Sequence, residues 1–159
     1  MIEVRGAVAA DAAELVRLRA VLLGSMEGRP PAPGPWQDEA MATLRARLGG
    51  PDAMMAAYVV DAPGGAGLAA CAVGTIDLRL GGPENPSGLT GYVFNVVTDE
   101  AYRRRGFSRA CVTALLDWFA RRGVGKVDLR ASADGERLYL SLGFVPTSGP
   151  TLRLSTGRR

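Results

Sequence analysis

The segment from Tyr92 to Arg130 constrains the fold more than any other part of the chain. Tyr92-Val93-Phe94-Asn95-Val96-Val97-Thr98 is a β-branched and aromatic run that reads as a central strand ending near Thr98. Phe107, Ala110, Cys111, Ala114, Leu115 and Trp118 then mark one face of a long helix, Gly123 ends it, and Val127-Asp128-Leu129-Arg130 reads as a second, short strand. A strand, a helix and a strand in one sheet close as a right-handed crossover, which makes the two strands parallel. An α/β sheet with a helix packed on it follows.

The remaining elements fit around that unit. Ile2-Glu3-Val4-Arg5 alternates as a half-buried strand does, and Leu15, Leu18, Val21 and Leu22 recur at helical spacing behind Asp11, predicting a helix that runs to about Leu23. Residues 24–35 hold four prolines and three glycines and read as a loop with Met26 and Glu27 near its start. A second helix is predicted over about 37–48, a hairpin over 54–60 and 68–79, a short helix over about 134–142, and two last strands at Phe144-Val145 and Leu152–Leu154. The order β-α-α-β-β-β-α-β-α-β-β is a mixed α/β sandwich. At 159 residues the chain is expected to form a single domain, residues 1–159, large enough to fold without a disulfide or metal staple.

Composition removes whole classes of chemistry. The chain has no histidine, so neither a Ser-His-Asp nor a Cys-His nucleophile pair can be assembled. Cys71 and Cys111 sit in apolar stretches, read as buried inert thiols, and cannot build a zinc site alone, so no metal is expected. No stretch reaches the roughly 18–20 apolar residues of a membrane span, and the first residues lack a signal-peptide pattern, so a cytoplasmic protein without a membrane partner is expected. Charge is uneven: residues 1–102 hold 7 basic and 12 acidic side chains, residues 103–159 hold 12 and 4. A nucleic-acid patch, a phosphate-bearing cofactor and compositional bias all account for that asymmetry.

The turn Arg103-Arg104-Arg105-Gly106-Phe107-Ser108 delivers the central strand into the long helix. Such a turn leaves the first backbone N–H groups of the helix unpaired, where the helix dipole favours an anion. Gly106 allows close backbone approach and the arginines add charge-assisted hydrogen bonds, so phosphate fits; a solvated turn fits equally.

Thr98-Asp99-Glu100-Ala101-Tyr102-Arg103-Arg104-Arg105-Gly106-Phe107-Ser108 resembles the V-x-P-x-x-[QR]-x-x-G-x-[GA] motif of the GNAT N-acetyltransferases, and Leu138-Tyr139-Leu140-Ser141-Leu142-Gly143-Phe144 resembles the family's later L-Y-x-x-x-G-F element. Residue matches run from about Val96 to Phe144. Thr98, Glu100 and Ser108 replace the usual Val, Pro and small Gly or Ala, and Ser132 and Gly135 stand where Asn and Ala are common.

The resemblance implies a GNAT-like mixed sheet flanked by helices and splayed between two central parallel strands, with acetyl-coenzyme A as cosubstrate. It implies that Val96, Val97 and Thr98 offer strand backbone to the pantetheine arm, that Arg103 takes the Q/R position, and that the amides of Arg104, Arg105, Gly106, Phe107, Ser108 and Arg109 cradle the pyrophosphate. Tyr139 would protonate the departing thiolate after direct attack of a primary amine on the thioester. The base is unassigned: the comparable strand holds Tyr92, Phe94 and Asn95, leaving Glu27 or a water held near Asn95.

Met26, the proline-rich segment and Trp36 line an acceptor pocket on this reading, although Trp36 also suits a packing anchor. The acceptor is a small-molecule or peptide amine. The rivals are a non-catalytic coenzyme A-binding regulatory domain and a nucleic-acid-binding module. The oligomeric state is open, a homodimer being the commonest assembly.

Overall fold

A computed structural model describes residues 1–157. Its elements are β1 (Arg5–Gly6), α1 (Ala12–Glu27), α2 (Pro35–Arg47), β2 (Met55–Asp61), β3 (Leu68–Leu78), β4 (Leu89–Thr98), α3 (Phe107–Arg121), β5 (Lys126–Leu129) and α4 (Glu136–Ser141). Single helical turns at Ala9–Asp11 and Glu100–Tyr102 lead into α1 and out of β4. The strands form one sheet in the order β1-β2-β3-β4-β5, antiparallel up to β4, with β4 and β5 parallel. This is the mixed, helix-flanked sheet that the crossover demands.

Two apolar layers hold the helices on. On one face, Cys111, Val112, Leu115 and Phe119 of α3 pack on Ala70, Ala72, Ile76 and Val93; on the other, Leu15 and Leu18 of α1 pack on Val59, Cys71, Val73 and Val97. Gly91 makes room for α3 on the sheet: a Cβ there would stand 2.7 Å from Phe119 Cε1. Both cysteines are buried free thiols.

The parallel pair splays where the site needs room. β4 and β5 pair from Thr90↔Lys126 to Val93↔Leu129 and no further, so Phe94–Thr98 continue without a partner on that side. The cause lies in β4 itself. Register against β3 slips between Val73↔Phe94 and Cys71↔Val97, and Asn95 takes a left-handed φ of 51°. The extra residue is a bulge, which bends its strand and re-aims the side chains that follow.

Four boundaries depart from expectation. The first strand is Arg5–Gly6, because only there does the chain meet β2, at Val59 and Tyr58. The α1 helix runs through Gly24 and places Met26 and Glu27 in its last turn; it stops at Gly28, whose φ of 78° is a left-handed cap. The expected strands at Phe144-Val145 and Leu152–Leu154 are not formed among the described residues. Phe144 instead closes α4, its N–H donating to the Tyr139 carbonyl, while Leu152 and Leu154 stay exposed without a strand partner. As a result β5 is the edge of the described sheet rather than a central strand.

Candidate active site

The turn from β4 into α3 opens onto a cleft of about 470 Å³ that runs along the unpartnered end of β4 to α4. Arg104 and Gly106 take left-handed φ values of 65° and 81°, which turn the chain sharply into Phe107. Only glycine adopts such a backbone without penalty, which accounts for Gly106. No side chain caps the start of α3, and its first intrahelical bond is Ala110 N–H to the Gly106 carbonyl. The N–H groups of Phe107, Ser108 and Arg109 therefore stand at the mouth of the helix without intrahelical partners, where the helix dipole favours an anion.

The cleft gathers Val96, Val97, Thr98, Arg103, Arg104, Gly106, Phe107, Ser108, Arg109 and Tyr139. Arg105 is not among its walls; its guanidinium stacks 5.5 Å from the centre of the Tyr102 ring, since successive residues of a tight turn point different ways. Arg103 Nε donates to the Thr98 carbonyl at 3.3 Å, which braces the turn, and Arg109 donates to Ser141 Oγ, which ties α3 to α4. Leu22 and Ser25 of α1 also line the cleft, as does Asp134. Their part was hidden in the sequence, although the helical spacing of Leu22 and Ser25 puts them on one side of α1.

Tyr139 reaches the cleft from α4. Its ring packs edge-on against Phe144 at 5.9 Å, and Gly135 makes room for it: a Cβ at that position would come within 3.1 Å of Tyr139 Cε2. Burial pushes the phenol above its ordinary value of 10, so the hydroxyl keeps its proton throughout the neutral range. The thiols offer no alternative reactive group. Desolvation raises Cys71 far above its usual range, and Cys111 is pushed up to about 12.

Glu27 lies with Leu23, Arg29 and Pro30 around a separate depression and is not a wall of the cleft. Met26 is exposed, and Trp36 donates Nε1–H to the Ala32 carbonyl at 3.0 Å, fastening the proline-rich loop rather than lining the cleft. Among the described residues no cluster of three His, Cys, Asp or Glu side chains could hold a metal, and no helix is long and apolar enough to cross a membrane.

The fold is thus a mixed α/β sheet whose strand-to-helix turn opens onto a cleft beside a splayed pair of parallel strands. The sequence model of the Acetyltransferase (GNAT) family matches residues 25–144, and the chain belongs to that family. Among solved structures it is similar to a predicted acetyltransferase of Clostridium acetobutylicum with acetyl-CoA, at 23% identity over 98% of this chain and 96% of that one, with a TM-score of 0.81. A GCN5-related N-acetyltransferase of Ralstonia eutropha JMP134 gives 22% identity over 97% and 99%, with a TM-score of 0.78. Glucosamine-6-phosphate N-acetyltransferase of Arabidopsis thaliana gives 18% over 97% and 98%, with a TM-score of 0.74. No curated protein matches the chain significantly in sequence.

Proposed function

We propose that the protein is a single-domain, acetyl-coenzyme A-dependent N-acetyltransferase that moves an acetyl group to a primary amine. The observation that carries this reading is the uncapped start of α3 opening onto the same cleft as the unpartnered end of β4 and Tyr139. Pyrophosphate fits the N–H groups of Phe107–Arg109, with Arg103 and Arg104 adding charge at the cleft wall. The backbone of Val96–Thr98, unpaired on the β5 side, suits the amides of a pantetheine arm, and a backbone N–H near Val97 suits the oxyanion of the tetrahedral intermediate.

Chemistry then needs two proton movements. The amine nitrogen bonds to the acyl carbon, the carbon–sulfur bond breaks, and Tyr139 donates its proton to the departing sulfur. A thiol has an ordinary pKa of about 8.5, so the transfer from a phenol depends on position rather than on acidity. No carboxylate projects from β4 between Leu89 and Thr98, so no base is assigned on that strand to take the proton lost by the amine. With Cys71 and Cys111 buried, transfer is direct and no acyl-enzyme forms.

The absence of a β4 carboxylate is also what a non-catalytic coenzyme A-binding domain would show. Calorimetric titration with acetyl-coenzyme A, followed by thiol release with a panel of amines, separates the two. Binding with thiol release supports the transferase, binding without it supports the regulatory domain, and no binding at millimolar cosubstrate overturns both. The reading places the protein in the cytoplasm, free of nucleic acid, metal and membrane.

A further inference from the structure

Three arginines of the α1 side of the sheet differ in how their charge is met. Arg5 forks onto both Asp11 and Asp61 at 2.8–2.9 Å, and Arg17 donates to Glu14 at 2.7 Å and Asp99 at 2.8 Å. Arg19, half-buried on the same helix as Arg17, forms no ion pair among the described residues. Its hydrogen bond is Nη1–H to Asn95 Oδ1 at 3.2 Å, a neutral amide. A guanidinium has five N–H donors in a planar fork, and one bond to an amide leaves most of that fork for another acceptor.

The position of this fork matters more than its solitude. Asn95 is the bulge residue of β4, buried, and immediately precedes Val96 at the cleft. Leu22, one turn beyond Arg19 on α1, is itself a wall of that cleft. On the same face of β4, Tyr92 and Phe94 stack with ring centres 6.3 Å apart, giving a flat apolar wall. The α1 side of the splay therefore offers an aromatic wall and one cation without a carboxylate partner. Glu14 and Asp99 are both held by Arg17, a group that carries one net negative charge, and neither bonds to Arg19.

Accepting the transferase reading, on which this inference rests, we propose that Arg19 is the acceptor-recognition residue, and that the acceptor is an amine carrying a carboxylate or phosphate on the same molecule. A guanidinium binds either anion bidentately, and the partly buried setting strengthens the pair relative to water. A polycationic amine would meet Arg19 as a like charge with no acidic group on β4 to offset it.

The test uses matched amines that differ only in the anion: L-amino acids against their carboxamides, and glucosamine 6-phosphate against glucosamine, with spermidine as the polycation. The expected result is a kcat/KM at least tenfold higher for the anionic member of one pair series, which also distinguishes carboxylate from phosphate. Arg19→Gln brings the ratio within that pair close to one, and Arg19→Lys keeps part of it. A role confined to holding Asn95 would lower both members alike and leave the ratio unchanged, which overturns the proposal. Preference for spermidine or for the neutral members overturns it too, as does acetyl-coenzyme A binding with no turnover of any anionic amine. Failure to bind acetyl-coenzyme A in wild type overturns the transferase reading itself, and the proposal with it.

Discussion

The hydroxyl oxygens of Thr98 and Ser108 lie 2.6 Å apart, so the last residue of β4 is tied directly to the second residue of α3. This bond fixes the uncapped helix start relative to the unpartnered strand end, the two surfaces along which a long cosubstrate would lie. Ser108→Ala is expected to cost about 1 kcal/mol of stability, the net value of one such hydrogen bond, and to weaken acetyl-coenzyme A binding several-fold. Thr98→Val removes the same bond from the other side, so the double variant should lose little more than either single one. Chemical denaturation and calorimetric titration of the three proteins measure both effects.

Gly106→Glu is expected to abolish acetyl-coenzyme A binding. The substitution forces a β-carbon into a φ of 81° and brings a negative charge to the helix start that the phosphates would occupy. Gly106→Ala carries the strain without the charge, and should bind more weakly than wild type but measurably. Titration calorimetry with a thermal melt of each variant checks the order wild type, Ala, Glu.

Tyr139→Phe keeps the ring that packs against Phe144 and removes the hydroxyl proposed as the general acid. Turnover is expected to fall by roughly 10²–10⁴-fold with little change in acetyl-coenzyme A affinity, the range for loss of a general acid. A matched loss of affinity would recast Tyr139 as a binding residue. Steady-state kinetics with one verified amine, beside a circular dichroism melt, provides the comparison.

What the sequence made legible was the local part. Strand β4, helix α3 and strand β5 announce themselves because their apolar spacing is set by the element each residue belongs to. The long reach of α1 was not legible. Gly24 looks like a stop, yet glycine inside a helix costs only about 1 kcal/mol, and the real stop is the left-handed Gly28 four residues on. Leu152 and Leu154 alternate as a strand does, but alternation needs an edge to pair with, and that depends on tertiary structure. The same holds at the site. Three consecutive arginines look equivalent in the sequence, and only the turn geometry sends Arg105 to Tyr102. Arg19 gains its meaning from the bulge at Asn95, 76 residues away.

Acid should loosen the α1 side of the sheet first. Hydrogen bonds from Arg5 hold Asp11 below its ordinary 3.8, and hydrogen bonds from Arg17 hold Glu14 below its ordinary 4.5. A carboxylate with a lower pKa folded than unfolded adds stability above its unfolded value and loses it as the pH falls through the folded one. The melting temperature is therefore expected to fall as the pH drops below about 4.5, with no contribution from these pairs to changes above that. Arg17→Met, which frees Glu14, should give a shallower fall. Melts from pH 7 to pH 2.5 on both proteins check the sign.

Acyl transfer to an amine is tested most directly by simultaneous detection of free thiol and acetylated amine when the wild-type protein meets acetyl-coenzyme A and the matched amine panel. Thiol and acetylated amine are expected in equal amounts, well above spontaneous hydrolysis, with Tyr139→Phe strongly slowed. Bound acetyl-coenzyme A that releases no thiol above background with any amine would contradict it.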